Sequence, residues 1–455
     1  MMANHSDNSK ASDNQDANTG KHLDAGAIFV LESKGTWLHA GYHLTTSIVG
    51  GPVLSLPFAF ASLGWGAGIV LLAIGAAVTF YSYNLLSLVL EHLEFKGNRH
   101  LRFSDMTTEI MGPRWGRLVV GPLQFAVCSG AVVSCTLLGG QSLKFLYKIY
   151  HPNGEMQLYQ FIILFGGLML LLAQMPSFHS LRYINLASLL LCFSFTACAV
   201  GGSIHAGISS DAENRDYSLV GSKTGKLLAA FNSFSIVATT YGNGILPEIQ
   251  ATIAPPVSGK MFKALCVCYT VVVSTYFSAA ISGYWAFGNN AQGTIYSNFA
   301  PAGRPAYVPN WFLFMANIFI LLQTSTVTLT YFQPAFAALE SRSADVEKGR
   351  FSMRNVIPRL IVRSFWVAIV TLVAAMLPFF GDINAVMGAF GIMPLDFILP
   401  MVLYNITFKP SRRSLLFWVN GSIGVLFSVV GILSCFAAAR QIVLDANTYK
   451  LFANI

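Results

Sequence analysis

Charge is what this chain lacks most. Asp, Glu, Lys and Arg supply 11% of its 455 residues, where a soluble globular protein gives roughly a quarter of its positions to them. A surface wetted by water on every side is therefore excluded for most of the chain. The seven cysteines all fall within long apolar stretches, which leaves no extracellular disulfide framework and no metal-ligand spacing in a loop; Cys266 and Cys268 read as small packing residues. No Gly-Lys-Ser/Thr loop follows a strand, and no paired carboxylates, metal cluster or nucleophile elbow accompanies the apolar stretches, so neither an enzyme nor a bound cofactor or metal is expected. The first 24 residues are rich in Asn, Asp and Ser and hold no apolar core of the kind a secretory signal needs. Residues 1–34 read as a disordered cytoplasmic tail.

Apolar residues, by contrast, make up 54% of the chain. About 20 of them in succession cross the hydrocarbon core as a helix, and such runs recur near 41–60, 64–90, 118–146, 158–175, 183–205, 227–249, 264–286, 309–339, 360–379, 383–405 and 415–438. The expected fold is an all-α integral membrane protein of about eleven transmembrane helices, with a transporter domain over 35–440 and a tail at 441–455. The net charge of +8 then reports topology and not a nucleic-acid partner. With the N-terminus inside, 20 of the 28 Lys and Arg residues fall on the cytoplasmic side and 8 on the other. That bias predicts a cytoplasmic N-terminus and, for an odd number of spans, an extracellular C-terminus.

Helix breakers are concentrated in two places. Span 1 carries Gly50, Gly51 and Pro52 in mid-membrane, followed by Pro57; span 6 carries Gly242, Asn243, Gly244 and Pro247. The strings GGPVLSLP and GNGILP end on prolines 190 positions apart, so each opens a block of five spans, about 41–205 and 227–405, with an extra helix near 415–438. This is the sequence pattern of a five-plus-five inverted repeat whose first helices, 1 and 6, are broken. Unwound backbone at bilayer depth persists only where it is buried in protein or lines a cavity. The two breaks are therefore expected to face each other around a site. Other glycine pairs, Gly139 with Gly140 and Gly201 with Gly202, read as packing positions.

The strings TTSIVGGPVLSLPFAF (Thr45 to Phe60), TTYGNGILPEIQATI (Thr239 to Ile253), SFHSLRYIN (Ser177 to Asn185) and GYWAFG (Gly283 to Gly288) closely resemble the amino acid/auxin permease family. The likeness runs from about Leu23 to the C-terminus and looks closest to the plant branch of γ-aminobutyric acid transporters. It implies eleven helices, the five-plus-five repeat, and transport driven by a proton gradient across the plasma membrane. Cargo identity rests on the resemblance alone; other amino acids such as proline, or a sensor of the same fold, are its rivals. A channel is disfavoured because the apolar spans advertise no continuous polar pathway.

A zwitterion must exchange hydration at both ends for protein hydrogen bonds. Free amides at a half-helix N-terminus suit its carboxylate, and the resemblance points to the same stretch, Ser47, Gly50 and Gly51. Freed carbonyls and polar groups of Tyr241, Gly242 and Asn243 suit its ammonium. Gln323, Thr324, Ser325 and Thr326 form a polar cluster in span 8, with Thr324 and Ser325 assigned to the site; the bland alternative is interhelical hydrogen bonding. The Val49 carbonyl with Thr324 or Ser325 would also offer oxygens to Na⁺. Of the acids, only Glu248 and Asp396 fall clearly within spans, where an ionised side chain costs about 2.5–3.5 kcal/mol on insertion scales. Glu248, beside the broken helix, is expected to exchange a proton during transport, or else to hold freed amides. Asp396, between Pro394 and Pro400, is expected to satisfy local backbone or a neighbouring helix. His43, about two turns before the first break, is the second proton candidate; its alternative is an interfacial histidine on a carbonyl. His39 reads as interfacial, and His179 and Arg182 as members of a cytoplasmic loop.

Overall fold

The computed structural model describes residues 33–174, 182–208, 215–219, 221–301, 305–340, 343, 345, 348–349, 351–377, 379–448 and 452. The expected tail up to residue 32 and the loop position His179 lie outside this set. Regular structure among the described residues is helical, with one isolated parallel bridge between Gly35 and Ile253.

Among the described residues, eight helices are long and apolar enough to cross a bilayer. Three further crossings do not meet that description, for physical reasons. Span 4, Leu158–Leu172, has only 15 residues. Span 6 is divided into Lys223–Tyr241 and Leu246–Ala251. Span 1 begins as Trp37–Ile48, becomes a tight 3₁₀ turn over Gly51–Ser55, and continues into the helix Leu56–Phe95. Forty residues of unbroken helix would reach about 60 Å, twice the hydrocarbon thickness. Gly64, at φ 76° and ψ 175°, interrupts it in a conformation that glycine alone adopts readily, and so separates span 1 from span 2. The remaining crossings are span 3 (Pro113–Tyr150), span 5 (Ile184–Ile208), span 7 (Lys260–Asn290), span 8 (Asn310–Glu340), span 9 (Met353–Met376), span 10 (Phe380–Phe408) and span 11 (Leu415–Leu444). The last helix extends to Thr448, ten residues beyond the sequence boundary at 438. A short helix, Phe103–Met111, lies in the connection between spans 2 and 3.

Backbone pairing fixes the direction of the two broken helices. Gly35 N–H donates to Thr252 O (2.7 Å), and Ala254 N–H to Gly35 O (2.8 Å). The start of span 1 and the end of span 6 therefore share one face of the protein, and the two spans run in opposite senses, as an inverted repeat requires. Arg99, after span 2, joins the same face by donating to Ile253 O (2.7 Å). On the opposite face Arg215, after span 5, donates to Trp285 O near the end of span 7 (3.0 Å), and Asn289 N–H donates to Asp216 O (2.9 Å). These groupings reproduce the alternation that the Lys and Arg count assumes.

Close packing relies on small residues where helices meet. A Cβ on Gly140 would lie 2.4 Å from Ile162, and one on Gly139 would lie 2.7 Å from the Phe165 ring, so spans 3 and 4 approach through these two glycines. Gly202 does the same against Phe299, while Gly201 has open space beside it. Arg363 of span 9 and Glu340 of span 8 form a buried pair, Nε to Oε1 2.5 Å, and Arg363 also donates to Ala173 O below span 4 (2.8 Å). Leu164, Leu171, Leu190, Phe365, Leu426 and Ile432 point outward, an apolar exterior suited to lipid and far larger than a soluble monomer exposes.

Candidate functional site

The end of a helix leaves its last carbonyls without amide partners, and in a membrane no water satisfies them. At the first break the three carbonyls from Ser47 to Val49 are each met by a side chain from elsewhere. Tyr331 donates to Ser47 O (3.0 Å), Tyr276 to Ile48 O (2.8 Å), and Gln323 Nε2 to Val49 O (2.9 Å), where Cys192 also approaches at 3.4 Å. Gly50 is extended, and Pro52 occupies the first turn of the 3₁₀ segment, where a missing N–H costs nothing.

The second break is held mainly through its amides. Gly242 is extended and Gly244 is left-handed at φ 65°, which turns successive N–H groups toward one point. Asp396 Oδ2 occupies that point, accepting from Asn243 N (2.8 Å), Gly244 N (2.9 Å) and the Tyr83 hydroxyl (3.0 Å). Asp396 is carried on a wide π-helical segment, Met387–Ile398, with Pro394 inside it; wide turns of this kind absorb the hydrogen bond that proline cannot make. Contact between spans 6 and 10 is close enough that a Cβ on Gly242 would lie 2.0 Å from Ile392 and 2.8 Å from Asp396 Oδ2. Gln124 of span 3 donates to Gly244 O (2.9 Å).

Two contacts join the breaks directly. Asn243 Nδ2 donates to Ser47 Oγ (3.3 Å). The Tyr276 hydroxyl stands 2.8 Å from Ile48 O and 2.6 Å from Thr240 O, so its single proton serves one broken helix or the other. Between the breaks lies a cavity of about 30 Å³, room for one or two water molecules and too small for an amino acid. Ser47, Gly50 and Pro52 line it from span 1, Thr239 and Gly242 from span 6, Ser134 from span 3, Tyr331 from span 8, and Asn384 from span 10. Val127, Ala131, Val327, Met387 and Ile392 complete an apolar wall, and none of the lining side chains carries a formal charge.

The sequence candidates distribute unevenly around this cavity. Ser47, Gly50 and Gly242 line it; Asn243 touches Ser47; and Gly51 sits behind the break, where a Cβ would meet Leu138 at 2.7 Å and Phe380 at 3.0 Å. Tyr241 turns its hydroxyl away to Leu72 O (2.8 Å). Val49 presents its carbonyl to Gln323. Within the span 8 cluster, Ser325 bonds back to Leu321 O (2.8 Å) and Thr324 is buried outside the lining, so Gln323 is the member that reaches span 1. His43 is buried with its ring against Asn185 Nδ2 (2.5 Å). Glu248 is buried on the side of the second break that faces the start of span 1, where Oε1 accepts from Phe103 N at the start of the helix Phe103–Met111 (2.8 Å). Tyr83, Tyr276, Tyr331 and Asn384 carry no signal in the sequence, because tyrosine and a lone asparagine are unremarked in apolar spans.

The arrangement matches known proteins at two levels. In fold, a Na⁺-coupled sialic acid symporter aligns over 96% of this chain and 94% of its own at 12% identity and a TM-score of 0.53. MHP1, a nucleobase-cation-symport-1 family transporter, aligns over 95% and 97% at 12% identity and 0.53. MhsT in complex with L-phenylalanine aligns over 90% and 99% at 11% identity and 0.50. In sequence, GABA transporter 1 of Arabidopsis thaliana is 58% identical over 95% of this chain and 96% of its own length. Lysine histidine transporter-like 1 of the same organism is 30% identical over 95% and 94%. Residues 33–444 match the family described as transmembrane amino acid transporter protein, and with two facing helix breaks around a cavity without charged side chains, this multi-pass membrane protein belongs to that family, the amino acid/auxin permeases.

Proposed function

We propose that this protein is a secondary active transporter that carries γ-aminobutyric acid, or a related small neutral amino acid, into the cytosol together with protons by alternating access. The observation that carries the reading is the cavity between the breaks, whose polar groups are neutral and whose wall is apolar. A zwitterion with a methylene chain is matched end by end in such a space, whereas a net-charged cargo would lack a counter-charge. The 58% identity to a GABA transporter favours the cargo. The cavity enlarges only if spans 1 and 6 move against spans 3, 8 and 10, which is the motion that alternating access requires.

Protons are preferred to sodium as the driving ion because the position open to a cation is already served by protein donors. Val49 O receives Gln323 Nε2, and the Ser325 hydroxyl is turned into its own helix. A pH difference of about 1.5 units supplies roughly 2 kcal/mol and about 150 mV supplies roughly 3.5 more per charge, enough for one proton to sustain accumulation of about 10⁴. Glu248 and His43 remain the assigned proton sites. Glu248 ties the end of span 6 to Phe103, so a proton on its carboxylate weakens a bond that keeps the cytoplasmic side closed. The plasma membrane, with the N-terminus inside and the C-terminus outside, is the location that fits uptake.

Uptake of labelled γ-aminobutyric acid into proteoliposomes under an inward proton gradient, without sodium, tests the whole reading. Accumulation that collapses with a protonophore is expected. Absence of uptake by folded protein across a panel of amino acids, with and without sodium, would sink it. Glu248→Gln and His43→Asn are each expected to lose most of the pH-driven accumulation while counterflow exchange of substrate persists. Full accumulation in both variants at normal surface expression would show that these are not the proton sites.

A further inference from the structure

Every hydroxyl that lines the central cavity has one proton, and each already gives it to the protein. Ser47 donates to Leu44 O (2.8 Å), Ser134 to Asn384 Oδ1 (3.0 Å), Thr239 to Asn384 O (2.5 Å) and Tyr331 to Ser47 O (3.0 Å). Toward a ligand these groups can act only as acceptors. The Gly50 and Gly242 amides are likewise engaged, with Ile48 O and Ala238 O. Among the described residues, one side-chain N–H or O–H donor in the lining has no acceptor: the Nδ2 amide of Asn384, buried in span 10. A buried donor left unpaired costs about 1–3 kcal/mol, so its retention at this place calls for a partner that the protein alone does not provide.

We propose that Asn384 is a substrate-binding residue whose Nδ2 amide receives the carboxylate of the transported amino acid, and that the lining hydroxyl oxygens receive the ammonium. Two features pre-set the amide. Ser134 fixes Oδ1, which sets the amide plane of a side chain that lines the cavity, and Thr239 holds the Asn384 backbone carbonyl, which ties this part of span 10 to the second broken helix. The substrate's carboxylate thereby bridges span 10 to the moving spans, and a ligand without one leaves Nδ2 unpaired. This inference rests on the transport reading above and adds to it a residue and an orientation.

The experiment compares three ligands on purified protein: γ-aminobutyric acid, butyrate, which lacks the ammonium, and butylamine, which lacks the carboxylate. Affinities come from inhibition of labelled γ-aminobutyric acid binding in nanodiscs, with wild-type, Asn384→Ala, Asn384→Asp and Ser134→Ala forms. Asn384→Ala is expected to weaken γ-aminobutyric acid and butyrate by about 10- to 100-fold and to leave butylamine unchanged. Asn384→Asp, which sets a carboxylate against a carboxylate, weakens the same two ligands further, and Ser134→Ala weakens them less. Equal losses for all three ligands show a structural role and overturn the proposal, as does loss confined to butylamine or no loss at all. Failure of wild-type protein to bind any amino acid overturns the transport reading itself, a distinct result.

Discussion

Asp396→Ala is expected to abolish uptake, by more than about 100-fold per transporter at the cell surface, while Asp396→Asn stays within about 10-fold of the parent. The carboxylate is the acceptor for two backbone N–H groups of the span 6 break and for the Tyr83 hydroxyl. Removing it strands the Gly244 N–H in a place without water, at about 1–3 kcal/mol, and leaves Asn243 N–H with the Tyr83 hydroxyl (2.9 Å) and that hydroxyl with the longer contact to Tyr241 O (3.3 Å). The break can relieve this only by rewinding toward helix, which withdraws Gly242 from the cavity wall. Asparagine keeps one carbonyl oxygen for the same donors, so the shape of the break survives without the negative charge. Uptake rates normalised to surface expression, with thermal unfolding in parallel, decide the matter. Wild-type transport by Asp396→Ala would mean that the amides find another acceptor, and that the carboxylate does not shape the site.

The largest loss of stability is expected where the end of span 8 meets span 9. Arg363 and Glu340 are both buried, with Nε to Oε1 at 2.5 Å, and the guanidinium lies 4.3 Å above the centre of the Phe336 ring. Arg363→Met strands the Glu340 carboxylate and is expected to cost about 3–5 kcal/mol. Arg363→Met combined with Glu340→Met removes both charges and recovers most of that loss, because two desolvated ions are exchanged for packed apolar side chains. Thermal melts of the purified single and double variants in nanodiscs measure the difference. A double variant as unstable as the single one would place the loss in the Ala173 carbonyl contact or the Phe336 stack and not in the stranded charge.

Glu248 and Asp396 show how far reading the chain alone can reach. Both stand out in sequence, since an acid within a membrane span is costly and therefore rare. Their surroundings do not. Asp396 holds the break of span 6 itself, as its expected backbone role required, whereas Glu248, beside that break in sequence, reaches away from it to Phe103. Gln323 and Ser325 make the same point at shorter range. Two residues apart on a helix, they point about 200° away from each other, and only packing decides that Gln323 meets Val49 while Ser325 returns to Leu321. Span 1 and span 6, each too broken to qualify as a long apolar helix, were nevertheless marked by Gly50, Gly51 and Pro52 and by Gly242, Gly244 and Pro247.

By itself the sequence determined that the chain spans a membrane many times, which loops share a face, and where two helices must unwind. These follow from local composition: lipid demands apolar runs, insertion sorts Lys and Arg, and Gly and Pro weaken helices wherever they stand. Only the tertiary structure decided what satisfies the unwound backbone and what is left over for a ligand. Tyr83, Tyr276, Tyr331 and Asn384 come from spans 2, 7, 8 and 10, and each matters through the direction its side chain takes from an apolar helix. A helix that is apolar on every face carries no periodic mark of its inward side, so those directions are set when the helices pack and not before.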